Sequence, residues 1–194
     1  MKKIQLLISI SFCLFLFACV TNPSLPEYNA ENTSGIIGIP KAFIVQSGAN
    51  IAGGYYTELR VRNLDSNEFK LIKIYYASGA QIQYVNDMNP GTYMLDGFRI
   101  LPVPRPDIRY SGYNTKFYSL NGKRNFQVES NQISVVPIVF RAVQESTTQG
   151  GARFNFRPFE LKQDEVGHKE YETLINESNK EGQWVVNWPW TTSS

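Results

Sequence analysis

Groups that could do covalent or metal chemistry are scarce in this chain of 194 residues, which holds two cysteines and one histidine. A nucleophilic triad needs a histidine oriented by an acid, and metal sites need clustered histidine, cysteine or carboxylate ligands. His168 has Glu172 one helical turn away, but no Gly-x-Ser-x-Gly nucleophile motif accompanies it. The sequence therefore predicts a protein that is not an enzyme and has no metal and no cofactor.

A proline-rich stretch and the C-terminus indicate a role in binding rather than in catalysis. Residues 102–118 carry arginines and tyrosines among prolines, a composition typical of binding loops because these side chains offer contact area and directed donors. The candidate contact residues are Arg105, Arg109, Tyr110, Tyr113, Trp188 and Trp190. An alternative remains for each group: the tyrosines cover the edge of a domain, and the tryptophans, instead of stacking on sugars, hold a tail in an apolar seam.

The N-terminus has the layout of an export signal. Lys2 and Lys3 precede an apolar run over residues 4–17, which is shorter than the roughly twenty helical residues needed to cross a bilayer. The run ends in Leu16-Phe17-Ala18-Cys19, which resembles the lipobox of bacterial lipoproteins, with Phe17 where a small residue is usual. The alternative is an ordinary secretory signal cut after Ala18.

The resemblance to the lipobox implies that the thiol of Cys19 receives a diacylglyceryl group and that residues 1–18 are removed. Acyl chains such as palmitate then anchor the protein to the membrane, since each buried methylene contributes about 0.8 kcal/mol. Val20 follows the cysteine. In lipoproteins of bacteria with two membranes, an aspartate at this position signals inner-membrane retention, so the resemblance implies an outer-membrane location within the cell envelope.

Removal of Lys2 and Lys3 leaves a chain of zero net charge, with 17 basic and 17 acidic residues. Because a neutral chain gains little from phosphate attraction, nucleic acid is not an expected partner. The charge is nevertheless uneven, at +5 over residues 101–162 and −4 over 163–194. This asymmetry predicts that an acidic C-terminal helix packs near a basic sheet.

The chain divides into a signal peptide (1–18), a flexible proline-containing tether (19–34), a β-domain (35–162) and a C-terminal helix with a tryptophan-rich tail (163–194) packed on that domain. Short runs of β-branched and aromatic residues alternate with turn signals, without crossover helices. This pattern predicts a mainly β fold, an antiparallel β-sandwich. The predicted strands span 37–46, 56–63, 69–76, 82–86, 91–95, 98–103, 115–120, 125–129, 133–143 and 152–161.

One segment has helical rather than strand periodicity. Residues 164–181 place Tyr171, Leu174 and Ile175 on one stripe, with Asp164 as N-cap and Gly182 as C-cap. An isolated helix of this length is marginal in water. We therefore expect the stripe, together with Trp184, to be buried against a sheet.

Three short segments resemble the turn-and-strand plan of transthyretin-like (prealbumin-like) domains found in small bacterial lipoproteins. They are residues 62–66 (Arg-Asn-Leu-Asp-Ser), 88–93 (Met-Asn-Pro-Gly-Thr-Tyr) and 126–136 (Phe-Gln-Val-Glu-Ser-Asn-Gln-Ile-Ser-Val-Val). In that family a Pro-Gly-x-Tyr turn opens one strand and a second Pro-Gly turn precedes a long apolar strand. Here Ser130-Asn131 stands in place of the second Pro-Gly. The resemblance implies a transthyretin-like sandwich that serves as a structural or binding module.

Two functions follow as hypotheses. The first is a non-enzymatic, lipid-anchored envelope protein that binds another envelope protein or contributes to an envelope assembly. The alternative is a module that binds glycans of the cell wall or an external polysaccharide, through the arginine–tyrosine loop or the tryptophan tail.

Overall fold

A computed structural model describes residues 24–46, 54–103, 115–121, 124–146, 152–163 and 166–190. The described residues form a mainly β fold with one helix, as predicted, and their eleven strands lie in two sheets. The strands are β1 (Gly35–Val45), β2 (Tyr55–Asn63), β3 (Phe69–Tyr75), β4 (Gly79–Met88), β5 (Gly91–Pro102), β6 (Asn125–Val128), β7 (Gln132–Val135), β8 (Ile138–Ser146), β9 (Ala152–Phe156), β10 (Phe159–Glu160) and β11 (Val185–Asn187). The helix is α1 (Val166–Ser178).

The four-stranded sheet has the order β3-β2-β5-β6 and is antiparallel throughout, as expected. Its strands alternate: on β2, Leu59 and Val61 are buried, whereas Arg60 and Arg62 lie on the opposite surface. The turn between β2 and β3 is held by the side-chain oxygen of Asn63, which accepts hydrogen bonds from two backbone amides of the turn. One surface of this sheet therefore faces the core and the other faces solvent.

The seven-stranded sheet corrects the expectation of purely antiparallel pairing. Strand β1 pairs antiparallel with β4 on one side, but on the other side it pairs in parallel with β7 and β8. Strand β11 is also parallel to β7, whereas β9 and β10 are antiparallel to β8. Parallel neighbours cannot be joined by a hairpin. Here the whole four-stranded sheet lies between β1 and β7 in sequence, so the chain has the length it needs to return in the same direction.

Proline and a bulge account for the largest differences from the predicted strand boundaries. The predicted strand over 133–143 is divided into β7 and β8 at Pro137, because proline has no N–H to donate to the ladder. The strand expected over 152–161 is divided in the same way at Pro158. Conversely, the strands predicted over 91–95 and 98–103 are one strand, β5, with a register shift opposite Arg60 and Val61.

Two further boundaries differ from the predictions. The strand expected over 115–120 is reduced to an isolated bridge between Phe98 and Tyr118. Residues 185–187, which were expected to be part of an irregular tail, form β11, because Val185 to Asn187 find free partners along β7.

Two apolar clusters organise the described residues. The first lies between the sheets and takes side chains from β1 to β6 and β8 in a sandwich-like arrangement, with Ile37, Ile39, Leu59, Ile74 and Leu95 fully buried. The second lies on the outer surface of the seven-stranded sheet. It is made of Ile36, Ile82, Tyr84, Ile133, Val135, Val139, Leu161, Tyr171, Ile175 and Trp184.

Helix α1 covers the outer surface of the seven-stranded sheet. Tyr171 and Ile175 are buried in the second cluster, Leu174 lies at its margin, and Trp184 is buried beside them. The apolar stripe read from the sequence is thus the surface that the helix buries.

The helix ends at Ser178, three residues before the predicted end at residue 181, so Gly182 is not its C-cap. Gly182, with φ of 64°, instead closes the turn that follows, where its amide donates to the carbonyl of Asn179 at 2.9 Å. The predicted N-cap, Asp164, lies outside the described residues.

Residues 24–34, expected to form part of a flexible tether, lie against the same side of the domain. Leu25 and Tyr28 pack on the second cluster, and the ring of Tyr28 meets that of Trp184 edge-on at 5.2 Å. The indole N–H of Trp184 donates to the carbonyl of Pro26 at 3.3 Å. The apolar side chains of this segment explain why it docks, since a freely solvated spacer would leave them exposed.

Side chains from β1 and β4 of the seven-stranded sheet form hydrogen bonds to the edge of β3 in the four-stranded sheet. Lys41 Nζ donates to the carbonyl of Tyr75 and, at 3.4 Å, to the side-chain oxygen of Gln83. The amide of Gln83 in turn donates to the carbonyl of Lys73 at 2.7 Å. Two carbonyls at the C-terminal end of β3 are therefore already engaged, which disfavours pairing of this part of the edge with another strand.

Candidate functional site

Most of the residues predicted to carry function lie outside the described residues. These are Cys19, Arg105, Arg109, Tyr110 and Tyr113. The flanks of the arginine–tyrosine segment are described: the amide of Val103 donates to the carbonyl of Gly54 at 2.8 Å, and Arg99 donates to the carbonyl of Thr115 at 3.5 Å. Both flanks thus adjoin the four-stranded sheet.

Trp188 and Trp190 are described, and they are brought together. Their rings stack on each other with centroids 5.2 Å apart and an interplanar angle of 11°. The imidazole of His168 meets both rings edge-on, at 5.3 Å and 4.5 Å. Both tryptophans also pack against the second apolar cluster. These contacts favour the packing interpretation, because a sugar platform needs ring faces that are open to solvent.

His168 therefore joins helix α1 to the tail. Its Nε2 lies 3.8 Å from a carboxylate oxygen of Glu172, the residue one turn later. In the described part of the chain no group of three or more histidine, cysteine, aspartate or glutamate residues is placed to hold a metal ion. The described helix is also too short and too polar to cross a bilayer.

The outer surface of the four-stranded sheet carries a basic and aromatic cluster that the sequence analysis did not identify. We call it the Arg–aromatic face and define it by three arginines (Arg60, Arg62, Arg99) and the side chains that surround them (Tyr56, Glu58, Phe69, Leu71, Lys73, Asp96, Phe117). Strand register places these residues in rows across the sheet. Leu71 lies beside Arg60, Phe69 beside Arg62, and Glu58 between Lys73 and Arg99.

Two carboxylates are distributed among the three guanidinium groups. Asp96, which protrudes at the β5 bulge, lies 2.5 Å from Arg60 and 3.7 Å from Arg62. Glu58 is buried and is bound by Arg99 through both Nε, at 2.8 Å, and Nη2, at 2.5 Å. Arg62 is thus the least tightly held of the three. Its Nε has no hydrogen-bond partner among the described residues, and the same is true of Nε of Arg60.

Aromatic rings hold the guanidinium planes in position. The ring of Phe117 lies between Arg60, at 4.5 Å from its centroid, and Arg99, at 4.8 Å. Phe69 lies under Arg60 and Arg62 at 5.4 and 5.8 Å. Such stacking fixes the plane of a guanidinium group and leaves its edge N–H groups free for acceptors. The face is therefore a set of oriented donors with limited side-chain entropy left to lose.

Gly97 allows Phe117 to reach this position. The segment 115–121 crosses β5 at Gly97, where a Cβ atom would lie 2.8 Å from the carbonyl oxygen of Tyr118. Tyr118 and Phe98 exchange two backbone hydrogen bonds there, at 2.7 and 3.0 Å. The absence of a side chain at one residue thus brings the end of the arginine–tyrosine segment onto the face.

The face combines excess positive charge with exposed apolar surface. Four basic residues (Arg60, Arg62, Lys73, Arg99) accompany two acidic ones (Glu58, Asp96). Phe69 is 53% exposed and Leu71 is 52% exposed, the two largest exposures among the described phenylalanine and leucine residues. The alternation of polar and apolar residues in β2 and β3 was visible in the sequence, but this alternation does not show which strands lie side by side.

The second unusual group is Lys41, whose side chain lies in the interior of the molecule rather than on its surface. It is buried between the sheets, and burial lowers the pKa of its ammonium group from 10.5 to about 8. Beyond it, at the same end of the sheets, lie the stacked rings of Phe43 and Phe154, with centroids 6.0 Å apart. Because a substrate cannot reach this amine, its role in the described structure is to link β1 to β3.

Comparison with known proteins gives no match: no protein-family model, no curated protein and no solved structure is significantly similar to this chain.

Proposed function

We propose that this chain is a lipid-anchored protein of the bacterial cell envelope that has no catalytic activity and binds another envelope protein through the Arg–aromatic face. The observation that carries the binding role is the exposed, positively charged and aromatic composition of that face. Interfaces are enriched in arginine and aromatic residues, which also dominate binding energy where they are buried in the complex. The stacked guanidinium groups suit this role because they are already oriented before a partner arrives.

The lipid anchor and its membrane belong to the same proposal. The anchor is supported by the lipobox-like sequence Leu16-Phe17-Ala18-Cys19. The next residue, Val20, favours the outer membrane in a bacterium with two membranes. Ser24 lies five positions after Cys19, and five residue steps span at most about 17 Å. The segment from Leu25 onward packs on the helix-covered side of the domain. The anchor would therefore attach on the side opposite the Arg–aromatic face and leave that face accessible.

We also propose that the β-domain is a transthyretin-like sandwich. Support comes from the Pro90-Gly91 turn that opens β5, where Gly91 has φ of 149° and its own Cβ would lie 2.7 Å from a carboxylate oxygen of Asp65. That oxygen accepts a hydrogen bond from the amide of Thr92 at 2.9 Å. Glycine is therefore favoured at position 91 of this turn for a structural reason.

The anchor is tested by labelling cells with a palmitate analogue. The wild-type chain should incorporate the label, and Cys19→Ser should abolish it because the acylated thiol is gone. Cys13→Ser is the matched control, since Cys13 lies within the segment expected to be removed, and its labelling should equal that of the wild type. A wild-type chain that takes up no label would overturn the anchor.

The binding role is tested by photo-crosslinking in cells. A photoreactive amino acid at Leu71, on the face, should give a discrete crosslinked protein band. The matched control places the same photoreactive amino acid at Val185, which is 61% exposed on β11 of the other sheet, and should not give that band. Equal patterns from both positions, or adducts at Leu71 that glycan-degrading enzymes remove, would contradict a protein partner.

A further inference from the structure

The spacing of the arginines on β2 suggests what kind of partner the face would recognise. Arg60 and Arg62 are two residues apart on one strand, so their side chains leave the same surface about 6.8 Å apart. Side chains at alternate positions of any extended peptide repeat at the same distance. Two carboxylates at alternate positions of such a peptide would therefore match the two guanidinium groups in register.

The surroundings of the arginines favour a peptide over a purely charged polymer. Phe69 and Leu71 form an apolar border along β3, directly beside Arg62 and Arg60 in the strand register. Because both are about half exposed, they offer contact to an apolar side chain next to the carboxylates. An anionic polysaccharide would satisfy the arginines but would leave this border with little to bury.

The hydrogen bonds at the edge of β3 indicate where on the sheet the peptide would lie. Addition of a strand to a sheet edge needs free backbone N–H and carbonyl groups. The carbonyls of Lys73 and Tyr75 already accept hydrogen bonds from the Gln83 amide and the Lys41 ammonium. The partner is thus expected across the surface of the sheet, where side chains rather than the backbone make the contacts.

We propose that the Arg–aromatic face binds an extended acidic peptide segment of another protein, with carboxylates at alternate positions and an apolar residue next to them. This inference rests on the proposed function and names the chemistry of its partner. Arg62 takes the first carboxylate, because it is only loosely paired with Asp96 at 3.7 Å. Arg60 takes the second through its guanidinium group, since its side chain remains 36% exposed while it is paired with Asp96.

The test is fluorescence anisotropy with the full chain in detergent and two labelled synthetic peptides. The probe is Glu-Thr-Glu-Thr-Phe, in which both carboxylates lie on one side of an extended chain. The control is Glu-Glu-Thr-Thr-Phe, which has the same charge and composition but adjacent carboxylates that point to opposite sides. The probe should bind several-fold more tightly than the control, and its affinity should fall as salt is raised.

Matched variants locate the binding. Arg62→Glu should weaken probe binding by about tenfold or more, because it replaces attraction by repulsion at one carboxylate. Arg153→Glu makes the same change of charge at an exposed arginine on β9 of the other sheet and should leave the affinity within about twofold of the wild type. Phe69→Ala should weaken the probe several-fold through loss of apolar contact while thermal unfolding stays unchanged.

Several results would overturn the inference. Equal affinity for the two peptides would rule out recognition of the spacing, and an unchanged affinity in Arg62→Glu would rule out the face. Polygalacturonate competing better per carboxylate than the probe would identify an anionic polysaccharide instead. A salt-sensitive dimer that Arg62→Glu dissociates in sedimentation experiments would identify a second copy of the chain.

The two proposals fail separately. If Leu71 crosslinks to a protein in cells while neither peptide binds, the acidic-peptide inference is wrong and the proposed function stands. If the probe binds in the expected register but Leu71 crosslinks to no protein, the chemistry of the face is right and the proposed function is wrong.

Discussion

The outer surface of the seven-stranded sheet is covered by helix α1, the C-terminal tail and residues 24–28, whereas that of the four-stranded sheet has no such layer among the described residues. The covered surface presents Ile36, Ile82 and Ile133, which are buried in the second apolar cluster. The open surface presents arginines and lysines with rings packed between them. A sheet surface that is apolar must be covered to be stable, while one that alternates with charge can remain available for binding.

The strand sequences show the same difference. Strand β1 carries apolar residues on both sides, with Ile37 and Ile39 facing the space between the sheets and Ile36 facing the helix. Strand β2 carries them on one side only, and its other side holds Glu58, Arg60 and Arg62. Leu71, which is 52% exposed, is an exception to this pattern on the open surface.

The largest expected effect is on the covered surface. Ile175→Ala should lower the free energy of unfolding by about 2–5 kcal/mol, because Ile175 has no exposed surface and its removal leaves a cavity under the helix. The control is Thr173→Ala, an exposed residue of the same helix, which should change stability by no more than about 0.5 kcal/mol. Urea unfolding measures both. A small effect of Ile175→Ala would mean that the helix is not part of the stable core.

A pH dependence of intermediate size is expected from ionisable groups that folding buries, of which Lys41 and Tyr171 act in opposite directions. In the folded state the pKa of Lys41 lies near 8 and in the unfolded chain near 10.5, so between these values the unfolded state binds more protons and stability rises with pH, by about 2–3 kcal/mol. Tyr171 behaves oppositely. Burial raises its pKa to about 12, so its contribution is complete below pH 10 and is lost as the pH rises from 10 towards 12.

Urea unfolding between pH 7 and 11 measures this pH dependence, with stability expected to rise towards pH 10 and then to fall. Lys41→Met should remove the rise and keep the fall, whereas Tyr171→Phe should reduce the fall and keep the rise. A rise that persists in Lys41→Met would assign it to another group and contradict the role given to Lys41.

The smallest effect on stability is expected on the open surface. Leu71→Ala should change the free energy of unfolding by less than about 0.5 kcal/mol, because half of the side chain is already exposed to water. The same change should weaken binding of the alternating acidic peptide several-fold. Urea unfolding and fluorescence anisotropy on one protein sample test both statements. A loss of stability comparable to that of Ile175→Ala would show that Leu71 belongs to the core and remove the contrast between the two surfaces.

Leu174 shows how far helical periodicity can be taken. The three-and-four spacing predicts Tyr171, Leu174 and Ile175 as one stripe, and the structure buries Tyr171 and Ile175 but leaves Leu174 partly exposed at the edge of the helix contact. Leu174→Ala should therefore cost less than a fully buried leucine would. Periodicity identifies the side of a helix that packs, while the width of the contact depends on the surface it meets.

The candidate site shows a different limit. The arginine–tyrosine segment and the tryptophan tail were recognisable because their residues are close together in the sequence. The Arg–aromatic face takes residues from β2, β3, β5 and the segment 115–121, which are up to about sixty residues apart. Only strand pairing makes Arg60, Leu71 and Phe117 neighbours. No local pattern contains that information, because register is set by the pairing of whole strands.

Local composition by itself determined that this chain is mainly β with a single described helix, because two-residue and 3.6-residue apolar periods depend only on neighbouring residues. It also located the helix, although the helix ends at Ser178, three residues before the predicted end at residue 181. The tertiary structure alone decided that β1 runs parallel to β7 and β8, and that one sheet is covered while the other has no covering layer among the described residues. The strand directions and the covering of one sheet depend on which apolar surfaces are near enough to be buried together, and that is settled only when the whole chain has folded.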